Sequence, residues 1–171
     1  KEVLEIKPDN EIKPKRLFIS YSSKNTEFMR RFEIHLKPLK RSGLVIDWHD
    51  RKIEPGTKWD EDIKNNLSNS DIIVFLLSPD FINTDYIFES ELPQAIEQFE
   101  RGKSDLFFIE LQACSWDKTT IANYQQTVSE KSDNKGIVQI ENPMNDVKWK
   151  EIIDLLEKKI KTPKYIPLKD L

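Results

Sequence analysis

The 171-residue chain has a single cysteine, Cys114, which excludes an internal disulfide and any zinc site built on paired thiolates. That usage fits a reducing, cytoplasmic setting. Glycine is scarce: Gly43, Gly56, Gly102 and Gly136 stand alone, so neither the G-x-G-x-x-G dinucleotide fingerprint nor a P-loop can be written with them. The two histidines, His35 and His49, lack a second metal-ligand partner at a useful spacing along the chain, so no metal site is expected. Nothing around Cys114 supplies the motif context of a Cys–His nucleophile pair. Positive charge is not in excess: 27 Lys and Arg face 30 Asp and Glu, a net charge of −3. The chain therefore lacks the electrostatic footprint of a nucleic-acid binder. It has no signal-peptide pattern and no apolar run of membrane length, so neither a nucleic acid nor a membrane is expected as a partner.

The hydrophobic fraction, 37%, is low for a packed protein, and much of the deficit sits at the ends. Residues 1–15 read as a charged arm broken by Pro8 and Pro14, and residues 162–171, with Pro163 and Pro167, read as a C-terminal linker. The expectation is one domain over residues 16–161, fused to further domains in a longer protein.

Within those limits strand and helix patterns alternate. Leu17 to Tyr21 is a short apolar run that reads as a buried strand. A helix follows, capped by Asn25 or Thr26, apolar at Phe28, Phe32, Leu36 and Leu39, kinked or ended by Pro38 and stopped at Ser42-Gly43. Leu44 to Ile46 is a second strand, and Asp47 to Lys58 a polar loop. Thr57 and Asp60 then stand in capping-box-like spacing ahead of Trp59, Ile63 and Leu67. The unbroken run Ile72 to Leu77 suits a central parallel strand covered on both faces. A helix capped near Thr84 carries Phe88, Leu92, Ala95, Ile96 and Phe99, and Leu106 to Ile109 is a fourth strand. Residues 115–134 give no clear pattern beyond a short helix inside a long loop. Gly136 to Ile140 reads as a short fifth strand, and Trp149, Ile152, Ile153, Leu156 and Ile160 mark a last amphipathic helix. This alternation predicts an α/β fold: a flavodoxin-like, doubly wound five-stranded parallel sheet with helices on both faces. Its sites belong at the carboxyl ends of the strands, which directs attention to residues 21–24, 47–58 and 78–91 and to the stretch after Glu110.

Two proteins of this architecture are excluded on residues. A phosphoacceptor receiver needs acids after strand one and a lysine ending strand five, where this chain has Tyr21-Ser22-Ser23-Lys24 and Gln139. A flavodoxin needs a Ser/Thr/Gly-rich phosphate loop after strand one, a segment here without glycine.

The segments do resemble those of a TIR domain. Leu17-Phe18-Ile19-Ser20-Tyr21-Ser22 is similar to the family's first box, and Asp50-Arg51-Lys52-Ile53-Glu54-Pro55-Gly56 with Trp59 to its second, the BB loop. Ser78-Pro79-Asp80-Phe81, Asp85-Tyr86 and Glu91-Leu92 resemble the S-x-x-F…W-x-x-x-E-L segment, and Trp149 stands where the weak third box falls. The pairing of Trp48-His49-Asp50-Arg51 with Pro55-Gly56 looks most like bacterial members. The resemblance implies one of two functions. Some TIR domains are interaction modules that assemble signalling complexes through the BB loop. Others cleave NAD at the nicotinamide–ribose bond, often only when clustered, and the bacterial type implies an effector in anti-phage defence. NAD is then substrate, no cofactor is needed, and other TIR domains are partners.

That chemistry asks for few groups. Nicotinamide leaves a pyridinium as a neutral ring without a general acid, and one carboxylate beneath the ribose can stabilise the oxocarbenium-like sugar. The family spacing, aromatic-x-x-x-Glu, runs from Tyr86 to Ser90, which is not an acid; Glu89 and Glu91 flank it. Glu91 is chosen as the catalytic carboxylate because Glu91-Leu92 preserves the family's Glu-Leu pair, one residue late. On a regular helix the two glutamates sit about 200° apart, so only one can face a pocket. Around it the resemblance implies a nucleotide pocket of Tyr21, Ser22, Ser23, Trp48, Arg51, Ile53, Gly56, Trp59 and Tyr86. Trp59 reads equally as a ligand-side aromatic or as a core anchor above Ile63 and Leu67.

Overall fold

The structure, a computed structural model, describes residues 13–49, 57–124 and 139–162. Four strands, β1 (Lys15–Ser20), β2 (Val45–His49), β3 (Ile72–Leu77) and β4 (Asp105–Glu110), form a parallel sheet in the order β2-β1-β3-β4. The register sets Phe18 beside Trp48 and Ile73, and Ile73 beside Leu106. All six residues of β3 are buried, as its unbroken apolar run requires of a strand covered on both sides. The α/β flavodoxin-like expectation holds, but among the described residues the sheet has four strands, not five. Of the expected fifth strand, residues 136–138 lie outside the described residues. Gln139 makes an isolated parallel bridge to Glu110, and the Ile140 N–H donates to the Glu110 carbonyl at 2.9 Å.

Strand alternation divides the interior into two cores. Leu17, Ile19, Val74 and Leu76 meet α1 (Thr26–Arg41) and α5 (Asp146–Lys161) on one face. Phe18, Ile73, Phe75 and Leu77 meet α2 (Thr57–Ser68) and α4 (Leu92–Glu100) on the other, with the one-turn α3 (Pro79–Ile82) between. α1 buries Phe28, Met29, Phe32, Leu36 and Leu39, each such side chain contributing about 2 kcal/mol of transfer free energy against its ordering entropy. Pro38 does not end α1, which runs three residues further. The helix stops at Gly43, whose φ of 74° lets Gly43 N–H reach Lys40 O and Leu44 N–H reach Leu39 O, a Schellman closure. Asn25 makes no side-chain cap on α1. Its Oδ1 accepts a 2.5 Å hydrogen bond from Ser78 Oγ instead, tying the end of β1 to the end of β3.

α5 is fastened to α1 by charge as well as by packing. Arg31 donates two hydrogen bonds to the carboxylate of Asp146, at 2.8 and 2.7 Å, and His35 Nε2 lies 2.8 Å from the same group. The Arg31 hydrogen bonds, then that of His35, hold Asp146 well below the usual carboxylate range. A carboxylate depressed in the folded state stabilises above its unfolded pKa, and that contribution fades as pH falls from about 3.8 toward the lower folded value. Urea midpoints of the protein and of Asp146→Asn, measured between about pH 6 and pH 2, are therefore expected to differ most at the top of the range and to draw closer, without meeting, toward the bottom. The pair is solvent-exposed, so the gap is small.

Candidate active site

Glu91 lies at the carboxyl end of the sheet on the α2/α4 side. It is 8% exposed, and its Oε2 accepts a 2.8 Å hydrogen bond from Ser20 Oγ, the last residue of β1. Glu89 is exposed. The backbone explains why Glu91 can reach inward although it stands one residue late. Residues Ile87–Glu91 form a π turn, closed by the Leu92 N–H to the Ile87 carbonyl. In a regular α-helix Tyr86 and Glu91 would project about 140° apart. The wider turn, whose hydrogen bonds close at i+5, narrows that angle and brings both to one side. Pro93 supplies a local reason: it has no N–H for the Glu89 carbonyl, and its ring would strike that carbonyl in a regular helix.

Tyr86 and Trp59 make the neighbouring wall, their ring centroids 4.5 Å apart. Both are half-buried against the α2/α4 core, so Trp59 is core anchor and wall at once. Tyr86 OH donates to Asp60 Oδ1 at 2.5 Å, and Lys64 Nζ lies 2.9 Å from Asp60 Oδ2. Asp60, read from sequence as part of a capping box, thus serves the tyrosine. Its carboxyl is held below the usual range by the Tyr86 bond first and Lys64 second. Burial, and then the Asp60 bond, push the Tyr86 phenol up to about 12; the charge of Glu91 acts in the same direction. A raised phenol stabilises the fold fully below the ordinary value of 10 and loses that contribution as pH rises through about 12. Absorbance titration is expected to show a late phenolate step near about 12 that Tyr86→Phe removes.

Trp48 faces the same side, stacked on Phe18 with centroids 5.2 Å apart. It lies within β2, which extends through Asp47, Trp48 and His49, so the polar loop begins three residues later than the sequence pattern implied. The structure does not bring every candidate together. Tyr21 packs on the α1-side core and meets His49 edge-on at 6.2 Å, turned from the face that holds Glu91. Ser22 is buried, and its Oγ accepts from Lys24 N–H to cap the 3₁₀ turn Ser23–Asn25. Ser23 is exposed, its carbonyl accepting from Thr26 Oγ1 at 2.7 Å. Arg51, Ile53 and Gly56 lie outside the described residues. Ser20 and Asp60 were missed as site residues. A serine at an inward-facing position of an otherwise apolar strand was the available signal for Ser20.

A parallel sheet in this order with helices on both faces is an arrangement that TIR domains share. The chain belongs to that family: the TIR domain profile matches residues 17–140. The TIR domains in the structure of the activated Roq1 resistosome directly recognizing the pathogen effector XopQ share the fold. Their TM-score is 0.55 at 15% identity, over 85% of this chain and 99% of that one. An uncharacterized protein, y4lF of Sinorhizobium fredii, is 36% identical over 100 residues, 58% of this chain. The match spans 31% of that relative's length. Among the described residues no helix is long and apolar enough to cross a membrane.

Proposed function

We propose that this TIR domain cleaves NAD at the nicotinamide–ribose bond, with Glu91 as the catalytic carboxylate. The observation that carries the reading is a buried glutamate at the carboxyl end of the sheet, oriented by Ser20 and flanked by the Tyr86–Trp59 pair. Ser20 fixes the carboxylate through one oxygen, and the negative charge it orients suits the ribose hydroxyls or the developing positive charge on the sugar. Trp59, Tyr86 and Trp48 offer faces for the electron-poor nicotinamide or the adenine. Nicotinamide departs with the bonding electrons, and water or the adenine completes the transfer to ADP-ribose or a cyclic ADP-ribose.

The other reading, a non-catalytic module docking through the BB loop, drew on the late position of Glu91, and the π turn removes that support. Self-association with other TIR domains is proposed as the activating step, in a cytoplasmic bacterial defence protein carrying further domains. The bacterial relative, about three times as long as its matched portion, and the resistosome setting of the structural neighbour favour that context. Nicotinamide release at high protein concentration, with and without forced clustering, tests the activity. Absence of release in the clustered protein would leave the docking module as the function.

A further inference from the structure

On the opposite face of β2, strand alternation sends Asp47 and His49 toward α1, where Glu33 meets them. These side chains are well covered: Asp47 is 5%, His49 10% and Glu33 19% exposed. His49 Nε2 contacts Glu33 Oε1 and lies 3.9 Å from Asp47 Oδ2. One ligand atom from each of the three falls within 4.8 Å of the others. Lys40 Nζ is 2.7 Å from Asp47 Oδ1, so the second oxygen, Oδ2, is left for His49 or an ion. An open groove of about 850 Å³, lined by Glu33, Lys37, Lys40, Asp47 and His49, gives solvent access.

We propose that Glu33, Asp47 and His49 bind one divalent transition-metal ion of the zinc type. One imidazole nitrogen and two carboxylate oxygens match Zn²⁺ or Mn²⁺ better than Mg²⁺ or Ca²⁺, which favour all-oxygen shells. Donors on a tetrahedral zinc with bonds of about 2.1 Å are roughly 3.4 Å apart, so the ion would open the His49–Glu33 contact and draw Asp47 Oδ2 in from 3.9 Å, with water from the groove in the fourth position. Lys40 is the cation in contact with Asp47, and Lys37 and Arg41 also line the groove, so an ion competes with these cations for the two carboxylates. The rival occupant is a proton on His49, which makes an ionic chain with Glu33 and Asp47 and needs no metal. Because the group sits across the sheet from Glu91, its expected effect is to fasten the end of β2 to α1 rather than to serve NAD cleavage.

The test uses tag-free protein with a Cys114→Ser background, stripped with a chelator and titrated calorimetrically with zinc chloride and, separately, manganese chloride. One saturable equivalent, a raised melting temperature, and binding weakened at least about tenfold in both His49→Gln and Asp47→Asn are expected. Magnesium chloride at the same concentration is expected to give neither heat nor a stability gain. Circular dichroism verifies that the variants fold, and NMR of the unsubstituted imidazoles is expected to show zinc shifting His49 and leaving His35 in place. No one-equivalent binding, binding unchanged in His49→Gln, or a zinc response at His35 alone would overturn the site in favour of the proton.

Discussion

Glu91→Ala is expected to lower NAD cleavage at least about 10²-fold, whereas Glu89→Ala retains the parent rate. The contrast follows from position: Glu91 is buried and held by Ser20, Glu89 is exposed on the same segment. Truncation at 91 also strips Ser20 Oγ of its acceptor, so loss of activity alone does not isolate the charge. Glu91→Gln separates the two, because its amide oxygen still accepts from Ser20 while the negative charge that steadies the oxocarbenium-like sugar is gone. Nicotinamide release by the three variants, with circular dichroism and melting temperatures alongside, is the measurement. A Glu91→Gln protein that folds and cleaves like the parent removes the carboxylate from the mechanism.

The second large effect concerns stability. Trp149 is 0% exposed, stacks on Phe32 with centroids 5.4 Å apart, and donates its indole N–H to the Pro143 carbonyl at 2.9 Å. Trp149→Ala removes the largest side chain joining α5 to α1 and leaves a cavity and an unpaired carbonyl. A cost of about 3–5 kcal/mol is expected, near 10 °C or more in melting temperature for a chain of this size. Trp149→Phe keeps most of the stacking and loses the hydrogen bond, so its cost is expected at about 1–2 kcal/mol. Denaturant midpoints check both. Equal losses would mean that the hydrogen bond, not the packing, anchors the helix.

What the sequence discloses and what it hides divide along physical lines. The β3 run and the Phe28–Phe32–Leu36 stripe of α1 state their burial through periodicity, because apolar patterning is local information. The extension of β2 through Asp47 and His49 was hidden: their polarity reads as loop, while the lysine, glutamate and helix that receive them are contributed by α1. Asn25 reads as a cap, yet its partner Ser78 is 53 residues away. A family motif points to Glu91, but its inward direction is not legible in the sequence, since a helical wheel assumes the period that the π turn breaks. Asp60 was seen only as a capping residue because nothing near it announces Tyr86.

The π turn before α4 makes one helical rod into two segments with an offset of phase between them. Downstream, Leu92 and Ala95 are indexed to the core; upstream, Tyr86 is indexed to Trp59 and Asp60. A single residue gained or lost there rotates one segment against the other by about 100° without altering either set of contacts internally. The aromatic wall and the hydrophobic seat of the helix are thereby free to vary separately along a lineage. Relatives can keep the same core while presenting the acid at a different count from the aromatic, so a fixed-spacing motif search would pass over chains whose geometry is equivalent.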